Sequence, residues 1–411
     1  MLRDQTKKQD KFTGRDLYLM PDSANNKTFI KKARASGGLR IASIQDFKSD
    51  PRQYKDAFRT GDGIYFNQVG VMILKREKEG NMRAFSKKER PGKAMISEPE
   101  RYVYAIQAKA SAKPRRISSK NFKDSKTETW GIQATNVLKS PFTGKGIRIA
   151  VLDTGIFNKH PDFKKRNITL ISKVQDSSVK PQDMDGHGTH CIGVSMGSAD
   201  KNNLRYGVAS DALIFSVKVL DDNGDGVDGD IIAGINWAVE TKCRIISMSL
   251  GDDASFGDKF SRIYENAAKR ALSKGALIIA AAGNESERSS GIIMPIGHPA
   301  NCPSIMAVAA LDPKLQVADF SCTSDVNMGS QIDIAAPGVK IYSSYIKPEN
   351  HEFLDGTSMA TPFVSGIAAL YLEQNPLLKP LELWSLMAQN AKRLPLASVD
   401  IGSGLVQAPI Y

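Results

Sequence analysis

The sequence predicts a doubly wound α/β domain with a mostly parallel sheet over residues 127 to 411, preceded by a smaller α+β domain. Three observations point there. Short apolar runs alternate with helix-like stretches through the C-terminal part, the candidate chemistry falls at the ends of those runs, and charge divides the chain near residue 125.

The apolar runs 147–152, 213–219, 244–250, 276–282 and 305–311 have the right length for buried parallel strands. Stretches 230–240, 259–274 and 361–374 read as helices between them. Asp153, Ser249 and Asn284 stand at or just past the C-terminal ends of three runs, where open α/β sheets build their sites. A segment of this size suits one domain, so the first 125 residues need their own explanation.

Residues 1 to 125 carry 29 Lys+Arg against 14 Asp+Glu, a net of +15, and the remainder carries 27 against 30, a net of −3. Strong basic charge suggests a nucleic acid or an anionic membrane. Here the basic residues are scattered, no nucleic-acid fold motif appears, and an acid-leaning partner is covalently attached, so neither ligand is expected. The segments 63–74 and 102–106 read as strands, with a Lys-rich stretch between them. They place a small domain at 55–110, after an extension (1–54) of unknown role. Residues 111–126 read as a basic linker, followed by the larger domain at 127–411. Within the linker Lys113-Pro-Arg-Arg116 suits processing by an enzyme that cuts after basic residues, and fits a solvated linker as well.

The chain opens Met1-Leu-Arg-Asp without an apolar run, from which a cytoplasmic location and no membrane span are expected. Cys191, Cys243, Cys302 and Cys322 show no metal-ligand spacing. They are expected as free thiols, with a bridge between Cys302 and Cys322 left open.

Three motifs carry chemistry. Gly356-Thr-Ser-Met-Ala-Thr-Pro362 sets the Ser358 hydroxyl ahead of an apolar helix, where backbone N–H groups and the positive end of the helix dipole face a developing negative charge. Val-Leu-Asp-Thr-Gly at 151–155 and Asp-Gly-His-Gly-Thr-His at 185–190 supply an acid and a base. A fourth segment, Ala-Ala-Ala-Gly-Asn at 280–284, ends in Asn284. Each alone has a plainer reading: a strand cap for Asp153, a helix cap for Ser358, a turn residue for Asn284, and a zinc pair for His187 with His190.

Taken together, and in the order Asp153, His187, Ser358, the motifs resemble the subtilisin-like serine proteases over about residues 127–411. The resemblance implies a serine endopeptidase acting on protein or peptide substrates through an acyl-enzyme, without an organic cofactor. Ser358 would attack a carbonyl carbon, His187 would take its proton and pass it to the leaving amine, and Asp153 would orient the imidazole. Asn284, with the Ser358 N–H, would bind the oxyanion; loss of one such donor costs on the order of 10²–10³ in turnover.

Further positions follow from the same resemblance. Ser249, Leu250, Gly251, Asp252, Gly226 and Gly297 would bind substrate, and Asp162 of His160-Pro-Asp162 would ligate a structural calcium. The partner loop at 199–206 lacks the spacing that such a site needs. Residues 55–110 would act as a prodomain, a folding aid and an intramolecular inhibitor. The acidic stretches 221–230 and 252–253 would line the groove and favour basic residues near the cut, unless they bind calcium or water instead. A second reading keeps the same scaffold as a regulatory or binding protein whose cleft stays covered.

Overall fold

The computed structural model describes residues 11–20, 26–47, 53–89, 95–106, 121–175 and 179–410. The N-terminal domain runs β1 (Phe12–Leu19), α1 (Asn26–Ser36), β2 (Ile41–Ser43), α2 (Gln53–Thr60), β3 (Gly63–Phe66), β4 (Val71–Lys75), α3 (Glu79–Glu89) and β5 (Ile96–Ala105). Strand order is β5-β1-β4-β3-β2, antiparallel except for the β2–β3 pair. Apolar side chains alternate strictly across this sheet. Tyr18, Tyr65, Met72 and Leu74 meet Phe29, Ile30 and Ala33 of α1 and Met82 and Phe85 of α3. Leu17, Ile64, Val71, Ile73 and Val103 join the core of the second domain.

Two sequence expectations change here. The single strand over 63–74 is a hairpin, because the chain turns through Asn67 to Gly70 and Gly70 takes a φ of +63° that suits only glycine well. The boundary at residue 55 is also moved. β1 pairs with both β4 and β5 and β2 pairs with β3, so the domain begins near residue 11.

The second domain comprises α4 (Trp130–Ala134), β6 (Arg148–Asp153), β7 (Ile168–Ser172), α5 (His187–Met196), β8 (Leu213–Lys218), β9 (Asp225–Val227), α6 (Asp228–Glu240), β10 (Ile245–Met248), β11 (Leu250–Gly251), α7 (Arg262–Ser273), β12 (Leu277–Ala281) and β13 (Met306–Leu311). It continues with β14 (Ile334–Pro337), β15 (Ile341–Ser344), β16 (His351–Leu354), α8 (Thr357–Gln374), α9 (Pro380–Asn390) and α10 (Ser398–Ile401). Seven strands in the order β14-β13-β12-β10-β6-β8-β7 form one parallel sheet, the doubly wound architecture that the apolar runs predict. The chain turns back on itself at β6, beside β10, and a crevice opens at that switch point. The domain already begins at residue 121, ahead of the expected 127: Phe122 N–H donates to Pro313 O (2.9 Å) and Trp130 N–H to Asp124 Oδ1 (2.7 Å). The candidate processing site Lys113-Pro-Arg-Arg116 lies outside the described residues, and no described helix is long and apolar enough to cross a membrane.

The domains meet through β5. It pairs antiparallel with β9 on one side (Val103 opposite Gly226) and β11 on the other (Ala105 opposite Leu250, Tyr104 opposite Gly251). Two carboxylates of β5 sit on helix N-termini of the other domain. Glu98 accepts from the Arg262 N–H (2.7 Å) and Ser261 Oγ (2.5 Å) at α7, and Glu100 accepts from the Gly229 N–H (3.1 Å) at α6. Each supplies an acceptor and a negative charge where a helix has spare N–H groups. Helix α6 has no side-chain cap of its own, so Glu100 fills that role from outside. The basic domain thus docks in part through its acids.

Candidate active site

Asp153 ends β6 and His187 opens α5, and the chain brings them together with the His187 Nδ1 to Asp153 Oδ1 distance at 2.8 Å. Burial works against charge on His187, but the Asp153 carboxylate outweighs it and holds the imidazole well above its ordinary range. Thr154 N–H also donates to Asp153 Oδ1 (2.7 Å). The arrangement rests on Asp183, which the motif reading passed over. Its carboxylate accepts from Thr154 Oγ1, the amides of Asp185, Gly186 and Thr189, and Thr189 Oγ1, all at 2.6–3.0 Å. One buried acid therefore ties the end of β6 to the first turn of α5. The signal was present as an Asp two residues before Asp185-Gly-His187.

Helix α8 begins at Thr357, four residues earlier than the apolar run suggested, so Ser358 lies in its first turn. Pro362 explains a further detail. It has no N–H to give to the carbonyl four residues back, which is that of Ser358. That carbonyl instead accepts from Ser249 Oγ (2.9 Å) and lies 3.5 Å from Cys191 Sγ. The broken helix bond thereby pins the turn that carries the hydroxyl. All four cysteines are buried and free, and burial pushes the Cys191 thiol up in pKa.

The Ser358 hydroxyl donates to the backbone carbonyl of Ile106 at 2.9 Å, and lies 3.3 Å from Ser249 O. His187 Nε2 has no hydrogen-bond partner among the described residues. Ile106 follows directly on β5, and its N–H donates to Ser249 O (3.3 Å). The strand therefore enters the crevice between β9 and β11 and presents a peptide carbonyl to Ser358. Asn284 Oδ1 accepts from the Thr357 N–H (2.9 Å) and Thr357 Oγ1 (2.8 Å), which orients the amide and leaves its NH₂ as the donating end.

Of the residues expected to bind substrate, Ser249, Leu250, Gly251 and Gly226 contact the strand through backbone pairing or backbone hydrogen bonds. Gly251 also faces the Ile106 side chain, whose Cδ1 would lie 3.6 Å from a Cβ placed there. Asp252 sits at the rim, 3.4 Å from Lys11 Nζ. Gly297 is a wall residue, where a Cβ would fall 2.7 Å from the Asp252 carbonyl oxygen.

Four of the carboxylates expected to line the groove, Asp221, Asp222, Asp228 and Asp230, are engaged elsewhere. Asp228 is buried on Arg101 and His298, Asp230 is buried on Gln175, Asp222 pairs with Lys218, and Asp221 accepts from the amides of Asn223 and Asp225 in its own turn. The residue whose carbonyl faces Ser358 is the apolar Ile106, and the basic residue of β5 that meets this run is Arg101, five residues upstream. Calcium at Asp162 does not fit either. Its Oδ2 accepts from Tyr206 OH (2.6 Å) and lies 2.8 Å from His351 Nε2, with His160 Nδ1 at 3.8 Å, so two imidazoles stand where calcium needs oxygens. In the loop expected to complete that site, Asp200 turns inward to the amides of Asn202 and Leu204.

The model of the Subtilase family matches residues 144–404. Subtilisin DY of Bacillus licheniformis is 35% identical over 276 residues, covering 67% of this chain and 94% of the relative. Subtilisin E of Bacillus subtilis (strain 168) is 39% identical over 246 residues, and the chain spans 60% of its length. Among solved structures, fervidolysin from Fervidobacterium pennivorans, described as a keratinolytic enzyme related to subtilisin, superposes with a TM-score of 0.72 at 22% identity, over 98% of this chain and 61% of that one. The fold, the matched family and the acid, base and hydroxyl gathered at one crevice agree: this chain belongs to the subtilase family and is a subtilisin-like serine endopeptidase.

Proposed function

We propose that this protease is made as a self-inhibited zymogen in which residues 12–106 form the inhibitor and Ile106–Gln107 is the bond first cut. Ser358, His187 and Asp153 act as the triad. Ser358 Oγ attacks the Ile106 carbonyl carbon while its proton passes to His187 Nε2. The oxyanion is held by the Asn284 amide and the Ser358 N–H. His187 then returns the proton to the Gln107 nitrogen as the C–N bond breaks, and water releases Ile106 from the acyl-enzyme by the reverse sequence. The reading rests on one observation: the Ile106 carbonyl at 2.9 Å from Ser358 Oγ, on a strand paired on both sides as a substrate would be. After the cut, the pairing and the two helix caps keep the N-terminal domain in the cleft as an inhibitor, until it leaves or is degraded.

Intact masses of the purified wild type and Ser358→Ala test this. A mature species beginning at Gln107 in the wild type alone is expected. A start after Lys113-Pro-Arg-Arg116 would move the first cut, and an uncut wild type that also fails to react with a fluorophosphonate would favour the permanently covered, regulatory reading.

A further inference from the structure

All five histidines of the chain lie in the second domain, and two of them form a cluster away from the triad. His160 and Asp162 flank the Pro161 turn that follows β6, and His351 opens β16. Ligand atoms of the three lie within 4.8 Å of one another. His351 Nε2 and His160 Nδ1 stand 2.8 and 3.8 Å from Asp162 Oδ2. In a tetrahedral site with metal–ligand bonds near 2.0–2.1 Å, ligand atoms stand roughly 3.3–3.5 Å apart, which these distances bracket.

The surroundings hold the three side chains together at this point, and the ligand atoms hydrogen-bond among themselves and to Tyr206. His160 Nε2 lies 2.6 Å from Asn350 O, and a carbonyl only accepts, so Nε2 carries the proton and Nδ1 keeps its lone pair, which accepts the Asp162 N–H at 3.2 Å, a bond that an ion at Nδ1 would replace. A ligating histidine whose other nitrogen donates to a backbone carbonyl is the usual outer-shell arrangement. Tyr342 stacks on His351 at 5.2 Å and 9°, and the Tyr206 hydroxyl holds Asp162 Oδ2. His160 is fully buried, while the His351 side chain is 16% exposed and opens the cluster to solvent. Two nitrogens and one carboxylate suit zinc and its neighbours, not calcium.

We propose that His160 Nδ1, Asp162 Oδ2 and His351 Nε2 bind one divalent transition-metal ion of the zinc type, with water as fourth ligand. The ion bridges the turn after β6, the strand that carries Asp153, to the β15–β16 hairpin, which runs directly into Gly356-Thr-Ser358. Its role is structural: it fastens two segments leading to the active site.

Full-length Ser358→Ala, which cannot digest itself, is titrated with Zn²⁺, Co²⁺ and Ca²⁺. One equivalent of Co²⁺ should give intense tetrahedral d–d absorption that Zn²⁺ displaces. Zn²⁺ at a hundredfold excess over its dissociation constant should raise the melting temperature by about 5 °C. His351→Ala should abolish both effects, and His351→Cys should restore them with a new thiolate-to-cobalt charge-transfer band. Absence of stoichiometric Co²⁺ or Zn²⁺ binding overturns the proposal. So does binding that survives His351→Ala but is lost in His187→Ala, which would put the ion at the triad. Stabilisation by Ca²⁺ that requires Asp162 would restore the calcium site and overturn it equally.

Discussion

The sheet of the second domain is covered by its own helices, α5 and α8 packing on one face and α6 and α7 on the other. The N-terminal sheet has helices α1 and α3 on one face; on the other, where its own α2 reaches only β3, it takes further cover from α6 and α7. Among the described residues, twelve buried apolar side chains make its private core, and nine more, among them Leu17, Phe66, Val71, Ile73 and Val103, are buried in the other domain's core. Burying those nine contributes on the order of 10 kcal/mol as an upper bound, comparable to the whole stability of a domain. The difference teaches that the catalytic half is self-sufficient in burial while the N-terminal half is completed by docking.

The largest expected effect breaks that comparison outright. Residues 1–106 alone should show no cooperative thermal transition, and adding folded 121–411 carrying Ser358→Ala should restore one. A cooperative melt of the isolated fragment would show its private core to be enough. Second in size is an effect confined to the catalytic half. Asn284→Ala should lower kcat on a peptide substrate by on the order of 10²–10³, the loss known for an oxyanion donor in a subtilisin, with KM and inhibition by the N-terminal domain little changed. An equal loss in inhibitor affinity would mean that Asn284 holds the strand and not the transition state.

A third prediction sharpens how the two halves join. Glu98→Ala and Glu100→Ala each remove an acceptor from a helix N-terminus, for about 1 kcal/mol or roughly a fivefold weaker inhibition constant per substitution. Gly229→Ala should act alike, because its Cβ would lie 2.5 Å from Glu100 Oε1. Inhibition constants unchanged in all three variants would leave β-pairing as the whole of the docking.

What the sequence made legible follows the same division. In the catalytic half the strands are mainly apolar runs, and Asp153, His187, Asn284 and Ser358 stand in short motifs at strand ends or helix starts, so chain order sufficed to find them. In the N-terminal half, β1 reads Phe12-Thr-Gly-Arg-Asp-Leu-Tyr-Leu19: its first half is polar, its alternation is seen only once both faces are covered, and it went unrecognised. Ile106 carried no motif because backbone pairing puts it at Ser358. The carboxylates at 221–230 misled for a related reason. Composition gives their number, but burial at the interface and local turns decide which way each one faces.

The smallest expected effect comes from two acids that docking buries together. Burial raises the Glu100 carboxyl above its usual range against the opposing pull of Arg15, and pushes Asp230 to about 7 against Gln175 and Arg15, with Glu100 adding to the rise. The groups facing them are Thr13 and Arg15 of β1, Gln175, the Gly229 N–H and Asp228. In the separated domain Glu100 loses its cover by α6 and its carboxyl falls back toward the ordinary carboxylate range. Docking therefore takes up protons. A carboxyl whose bound value is raised favours the bound state fully below its free value, and that advantage is lost as pH rises through the bound value. The cleaved N-terminal domain should leave 121–411 several-fold faster at pH 8 than at pH 5, measured by release of an inhibited peptidase or by surface binding. His187 protonation has the same sign if docking also raises its pKa, so Glu100→Gln combined with Asp230→Asn is the deciding control: it should flatten the profile. Faster release at pH 5, or a slope that survives the double substitution intact, would remove this pair from the account and leave the domains joined without a proton-linked term at α6.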